Sequence, residues 1–133
     1  MSWEAEVEEN KKRKHLAEQI RGEAGISEQK RRGKLTARER VTKFVDPGTW
    51  REISPLVGTA TYSENGLELE SFLPKGAVKG FAEVDGRQVA VDAGDFTVRG
   101  GSGGGSAGGL GGELDTKDRA LEWQVPYVRL QDC

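Results

Sequence analysis

The stretch Val78 to Ser102, VKGFAEVDGRQVAVDAGDFTVRGGS, decides the architecture of this chain. Asp85-Gly86 suits a two-residue type I′ turn, because both central positions of that turn need positive φ. Pairing outward sets Val84 against Arg87, Ala82 against Val89 and Gly80 against Val91 on one face, with Glu83 against Gln88 on the other. One face is apolar and the other mixed, which predicts a hairpin lying half-buried on a larger body. It runs into Asp95-Phe96-Thr97-Val98-Arg99-Gly100-Gly101-Ser102, a polar and aromatic turn that opens a glycine tract. That turn is the first place to look for function.

Upstream of the hairpin, Glu4 to Arg21 reads as a helix with acidic residues leading and basic ones following, an order that suits the helix dipole. Trp3, Val7, Leu16 and Ile20 are too sparse for a buried stripe, so this helix is expected to be an arm that packs at its ends or against a partner subunit. A basic stretch, Lys30-Arg31-Arg32-Gly33-Lys34, precedes Thr36-Ala37-Arg38-Glu39. The latter is a capping box in which the threonine hydroxyl serves the third amide and Glu39 reaches back. A short helix therefore begins at Ala37, turns Val41, Phe44 and Val45 to the core, and is stopped by Asp46-Pro47-Gly48. Trp50 to Ile53 is a strand candidate, and 54–76 is a turn-rich connection with one further strand near Leu67 to Phe72.

Downstream, 100–112 is a glycine-rich, low-complexity loop. Asp115 or Thr116 can cap a short helix carrying Leu121 and Trp123, and Val125 to Leu130 reads as a buried strand. A helix and strand after a hairpin give a mixed α/β or α+β layout. The chain divides into a helical arm, 1–33, and a domain, 34–133. It stops at the carboxyl end of the last strand, where ligand-binding loops grow in open α/β sheets, and so reads as truncated.

Composition narrows the function. In 133 residues, 35% hydrophobic and 32% charged, only one modest core fits. A net charge of −2 argues against a dedicated nucleic-acid binder. The acidic N-terminus and the absence of a long apolar run predict a cytoplasmic protein with no membrane partner. A single cysteine, Cys133, and a single histidine, His15, leave no material for a zinc site or for a nucleophile–base pair, so no metal is expected. Gly103-x-Gly105-x-x-Gly108 matches a dinucleotide fingerprint, but a tract this rich in glycine matches almost any glycine spacing. A flexible linker and an amide cradle for a phosphate or a carbonyl at Gly100, Gly101 and Ser102 are the other readings. Arg31, Arg32 and Lys34 suit the phosphates of a nucleotide-bearing ligand, although a charge run is more often a solvated face. Asp92 and Asp95 flank the turn, where a turn-forming role outweighs a general-base role.

Two segments together carry a family resemblance. Gly33-Lys34-Leu35-Thr36-Ala37-Arg38-Glu39-Arg40, followed by Asp46-Pro47-Gly48-Thr49-Trp50, resembles the opening of biotin-dependent acyl-CoA carboxyltransferases. Val84-Asp85-Gly86-Arg87 through Asp95–Ser102 is similar to the same family's hairpin and turn. Val125 to Asp132 resembles the strand that precedes the family's first oxyanion-hole loop. The resemblance is closest to propionyl-CoA carboxylase β-subunits.

The resemblance implies a crotonase-like carboxyltransferase domain, of which this chain is the N-terminal portion. It implies transfer of a carboxyl group between carboxybiotin and the α-carbon of an acyl-CoA. The biotin is carried by a biotin carboxylase or biotin carrier partner, and the full-length subunit forms a homo-oligomer. An enolate of this kind needs preorganised amides facing its oxygen, which suits a scaffold rich in glycine rather than in titratable groups. The family's oxyanion loop follows the strand that ends here at Asp132, so no catalytic residue is carried over and the chain alone is expected to be inactive. Arg99, Gly100, Gly101 and Ser102 are the candidate CoA-proximal turn. Family members continue from that turn into a long helix, and the glycines here, at about 0.8–1 kcal/mol each relative to alanine, predict that much of it is lost. Two readings from other classes stay open: a non-catalytic interaction module and a glycine-rich dinucleotide-binding domain.

Overall fold

The computed structural model describes residues 2–19, 21–98, 100 and 116–132. In chain order they form α1 (Glu4–Glu18), α2 (Gly22–Arg31), α3 (Ala37–Phe44), β1 (Arg51–Glu52), β2 (Gly58–Tyr62), β3 (Leu69–Pro74), β4 (Ala77–Val84), β5 (Arg87–Gly94), α4 (Thr116–Glu122) and β6 (Tyr127–Leu130). No helix among the described residues is long and apolar enough to cross a membrane.

The hairpin forms in the register expected, with Val84 opposite Arg87, Ala82 opposite Val89 and Gly80 opposite Val91. Its turn places Asp85 at φ 50° and Gly86 at φ 75°, the left-handed pair a type I′ turn demands. β1 adds to the outer edge of β4 and β6 adds in parallel to β5, giving the order β1-β4-β5-β6. A parallel neighbour needs a crossover, and α4 lies on it.

That crossover corrects the half-buried reading of the hairpin. Val89, Val91 and Ala93 face Ala37 and Val41 of α3 and Val45 at its C-cap, while Ala90 and Phe81 face Ala120 of α4. β5 is therefore covered on both faces, as strands with a parallel partner usually are. β6 itself is only half-buried, not the buried strand expected from its apolar run. On α4 the buried residues are Thr116 and Ala120, whereas Leu121 is 81% exposed, and Trp123, just past the helix, lies against the Phe81 ring at 4.6 Å.

α3 begins and ends as its sequence dictates. Thr36 Oγ1 accepts from the Glu39 amide at 3.2 Å, Glu39 Oε2 accepts from the Thr36 amide at 2.9 Å, and the helix stops before Asp46-Pro47. Asp46 then reaches the hairpin turn, its carboxylate accepting from the amides of Asp85 and Gly86. Gly80 is fixed by close approach: a Cβ there would lie 2.3 Å from the Arg51 carbonyl and 2.7 Å from the Trp50 ring.

Two elements escape the sequence reading. α2 carries glycine at positions 22 and 25, yet it is needed where it sits, because a Cβ on Gly25 would meet Arg21 Cβ at 2.9 Å and Thr97 at 3.6 Å. β2 pairs with β3 as a separate antiparallel ribbon within the connection that reads as irregular. α1 packs at its C-terminal end as expected, where Ala17 is 1% exposed and its carbonyl accepts from Arg38 Nη2 at 3.4 Å, and it also docks on this ribbon through its middle. Lys12 Nζ donates to the Leu69 carbonyl at 2.5 Å, Arg13 lies over the Phe72 ring, and Arg13, Glu9 and Tyr62 share hydrogen bonds. Trp3 and Val7 stay exposed, and Ile20 lies outside the described residues.

Candidate functional site at the carboxyl edge of the sheet

β5 and β6 run parallel, so both deliver their chain to one edge: Gly94 into the turn that begins at Asp95, and Leu130 toward Asp132. The turn is tightly built. The Asp95 amide donates to the Gly76 carbonyl at 2.9 Å, Asp95 Oδ1 accepts from the Thr97 amide at 2.9 Å and its hydroxyl at 2.6 Å, and the Val98 amide donates to the Asp95 carbonyl. Asp95 thus has the turn-forming role expected of it. Asp92 lies one face away, accepting from the Tyr127 hydroxyl at 2.8 Å with Lys79 at 3.5 Å, its cross-strand neighbour.

Of the candidate turn residues, Gly100 is described, at φ 63° with open space where a Cβ would stand. Arg99, Gly101 and Ser102 lie outside the described residues, as do the Gly103-x-Gly105-x-x-Gly108 motif and the tract read as a lost helix.

Around the turn the fold gathers cations that are scattered in the sequence. Arg32 and Lys34 approach the Phe96 ring at 5.7 and 5.6 Å from its centroid, and Arg21 donates to the Thr97 carbonyl at 3.3 Å. Arg31 is not part of this group. It is gripped with Arg32 by Glu28, whose carboxyl the hydrogen bonds from the two guanidiniums hold down to about 2. Of the three basic residues singled out in the sequence, two therefore meet the turn and one forms a solvated ion pair.

The opposite side of the edge is organised by Asp132, whose side chain is 8% exposed. Gln29 Nε2 donates to it at 2.7 Å and Lys34 Nζ at 3.0 Å, and Arg40 Nη2 lies 4.0 Å away. Burial pushes this carboxyl up, but the hydrogen bonds from Lys34 and Gln29 and the charges of Lys34 and Arg40 outweigh it, leaving the group below the ordinary carboxylate range. Arg21, Gln29, Arg40 and Asp132 were not candidates from sequence. Arg40 and Asp132 do stand inside stretches that carry the resemblance, but their spacing along the chain says nothing of their meeting.

This edge offers an aromatic ring flanked by cations, a tight glycine-bearing turn and a buried counter-charge. Among the described residues no cluster of three or more histidine, cysteine, aspartate or glutamate side chains could hold a metal. A family model described as a carboxyl transferase domain matches residues 28–133. The chain belongs to the carboxyl transferase domain family. This carboxyl transferase chain is 37% identical to the propionyl-CoA carboxylase carboxyltransferase subunit of Haloferax mediterranei, over 99% of its own length and 25% of that protein's. It is also 37% identical to the mitochondrial propionyl-CoA carboxylase beta chain of Rattus norvegicus, over 93% of its length and 22% of the rat protein.

Its fold matches the transcarboxylase 12S structure with hydrolysed methylmalonyl-coenzyme A bound at a TM-score of 0.75 and 28% identity, covering 99% of this chain and 26% of that one. The mixed helix-and-sheet, crotonase-like fold implied by the resemblance is thus the one observed. The chain spans about a quarter of the length of the relatives it matches.

Proposed function

We propose that this chain forms the N-terminal portion of a biotin-dependent acyl-CoA carboxyltransferase subunit and builds part of its acyl-CoA side. The full subunit moves a carboxyl group between carboxybiotin and the α-carbon of an acyl-CoA. It works with a biotin carboxylase or biotin carrier partner, as a homo-oligomer, in the cytoplasm. Residues 1–33 act as an arm on the domain that begins at residue 34.

The observation that carries this reading is the convergence of Arg32 and Lys34 on Phe96, beside the turn that leads to Gly100. Coenzyme A presents phosphates and an adenine ring, and cations beside an aromatic face suit both. Arg99, Gly100, Gly101 and Ser102 follow in the sequence and are proposed to lie next to the bound thioester. We assign no residue of this chain to biotin. The two terminal nitrogens of Arg40 at this edge are already engaged by the carbonyls of Gly94 and Leu130.

Amide hydrogen exchange of the 133-residue chain with and without CoA tests the reading. Slowed exchange at Thr97, Val98 and Gly100 is expected, together with no turnover of carboxybiotin and acyl-CoA by the chain alone. No slowing anywhere at this edge would favour a non-catalytic interaction module instead.

A further inference from the structure

Arg40 sits where the parallel ladder ends. The last paired positions of β5 and β6 are Ala93 and Leu130, after which one strand leaves for the turn and the other for Asp132. From α3, Arg40 Nη1 donates to the Leu130 carbonyl at 2.8 Å and Nη2 donates to the Gly94 carbonyl. A guanidinium holds its two terminal nitrogens in one rigid plane, so engaging both carbonyls fixes the distance between the two strand ends. An ammonium presents all its donors from a single atom, so it cannot hold the two carbonyls at the separation that two planar nitrogens impose.

The bridge closes into a ring of contacts. Phe96 of the turn meets Lys34, Lys34 pairs with Asp132, Asp132 lies beside Arg40, and Arg40 returns to Gly94 at the foot of the turn. Gln29, itself 1% exposed, adds a further hold on Asp132 from α2. α2, α3, β5 and β6 are thereby tied at a single edge.

We propose that Arg40 is a positioning residue that locks the turn Asp95–Val98 to the end of β6, so that ligand contact at the turn is felt at Leu130 and Asp132. The proposal rests on the reading of this turn as CoA-proximal. It adds that the turn and the segment after β6 are held at fixed separation by one side chain, not independently.

Hydrogen exchange of the full 133-residue chain, resolved to single amides by NMR, tests it. In Arg40→Met, exchange at Thr97 and Val98 and at Arg129 and Leu130 is expected to rise about fivefold or more, while Gly86 at the far end of the hairpin keeps its rate. Arg40→Lys is expected to restore protection at one of the two ends. A uniform rise that includes Gly86, or unchanged rates at either strand end, overturns the positioning role. If Arg40→Met does not fold, Arg40→Lys decides: full protection at both ends overturns the proposal, and loss at one end with Gly86 unchanged supports it. A second arm uses CoA as probe. Protection that spreads from Thr97 to Leu130 in the parent chain, but stays at Thr97 in Arg40→Lys, supports the lock, and equal spreading in both overturns it. CoA that protects nothing in the parent chain defeats the CoA reading, while the ligand-free arm still judges Arg40.

Discussion

Asp46 and Gly86, 40 positions apart, are joined by a hydrogen bond of 2.8 Å from the Gly86 amide to the Asp46 carboxylate, and the Asp85 amide donates to the other carboxylate oxygen at 3.1 Å. The stop signal of α3 is therefore also the cap of the central hairpin. Asp46→Ala removes both acceptors and is expected to lower stability by about 1–2 kcal/mol, read from the urea midpoint. Asp46→Asn, which keeps one acceptor, should fall between. An unchanged midpoint in the alanine variant would show that solvent serves these amides equally well.

Gly80 and Gly94 stand on adjacent strands of one sheet but should respond oppositely to alanine. At Gly80 the new methyl group meets the Arg51 carbonyl and the Trp50 ring, so β1 must shift, at a cost of about 1–3 kcal/mol and with a change in Trp50 fluorescence. At Gly94 a Cβ meets nothing within 4 Å. Its alanine variant is expected to stay within about 0.5 kcal/mol of the parent. Equal losses at the two positions would remove the close-approach argument.

Asp132 sets an acid limit on the carboxyl edge. Its folded pKa lies below the ordinary value of 3.8, so its contribution is complete above that value and is lost as pH falls through the lower, folded one. A carboxyl-carbon NMR titration should therefore give a midpoint under 3.8. In Lys34→Met the stronger of the two hydrogen bonds that lower it is gone, and the midpoint should move up. A midpoint that Lys34→Met leaves in place would argue against the Lys34–Asp132 pair.

Phe96 links the basic stretch to the turn. Phe96→Leu keeps apolar volume but removes the ring face, and is expected to cost about 0.5–1 kcal/mol for each exposed cation contact, seen as a lower thermal midpoint. CoA affinity should fall in Phe96→Leu, in Lys34→Met and in Arg32→Met, and the parent affinity should weaken with added salt. Unaltered affinity in all three variants would remove these residues from the ligand site.

Much of the fold was legible because its signals are local. Asp85-Gly86 dictated the turn and hence the whole β4–β5 register, and Thr36 with Glu39 dictated where α3 starts. What escaped was set by distant partners. α2 has weak intrinsic preference and exists where Gln29 can reach Asp132, 103 positions away. β2 needs β3 to complete its hydrogen bonds, and its mostly exposed side chains leave no apolar alternation to read. The site divides in the same way: the turn Asp95–Val98 and the cations at positions 32 and 34 are visible as residue types, but their convergence is not.

The sequence alone determined the hairpin register, the helix caps and, through two extended motifs, the carboxyl transferase resemblance, because each rests on backbone preferences or on residues close along the chain. The tertiary structure decided that β5 is covered on both faces, that α1 docks by its polar middle, and that Arg40 and Asp132 meet between two strand ends. Those outcomes depend on a parallel crossover and on contacts between residues 49 or more positions apart, whose closure reflects the whole packed chain and leaves no mark in any local stretch.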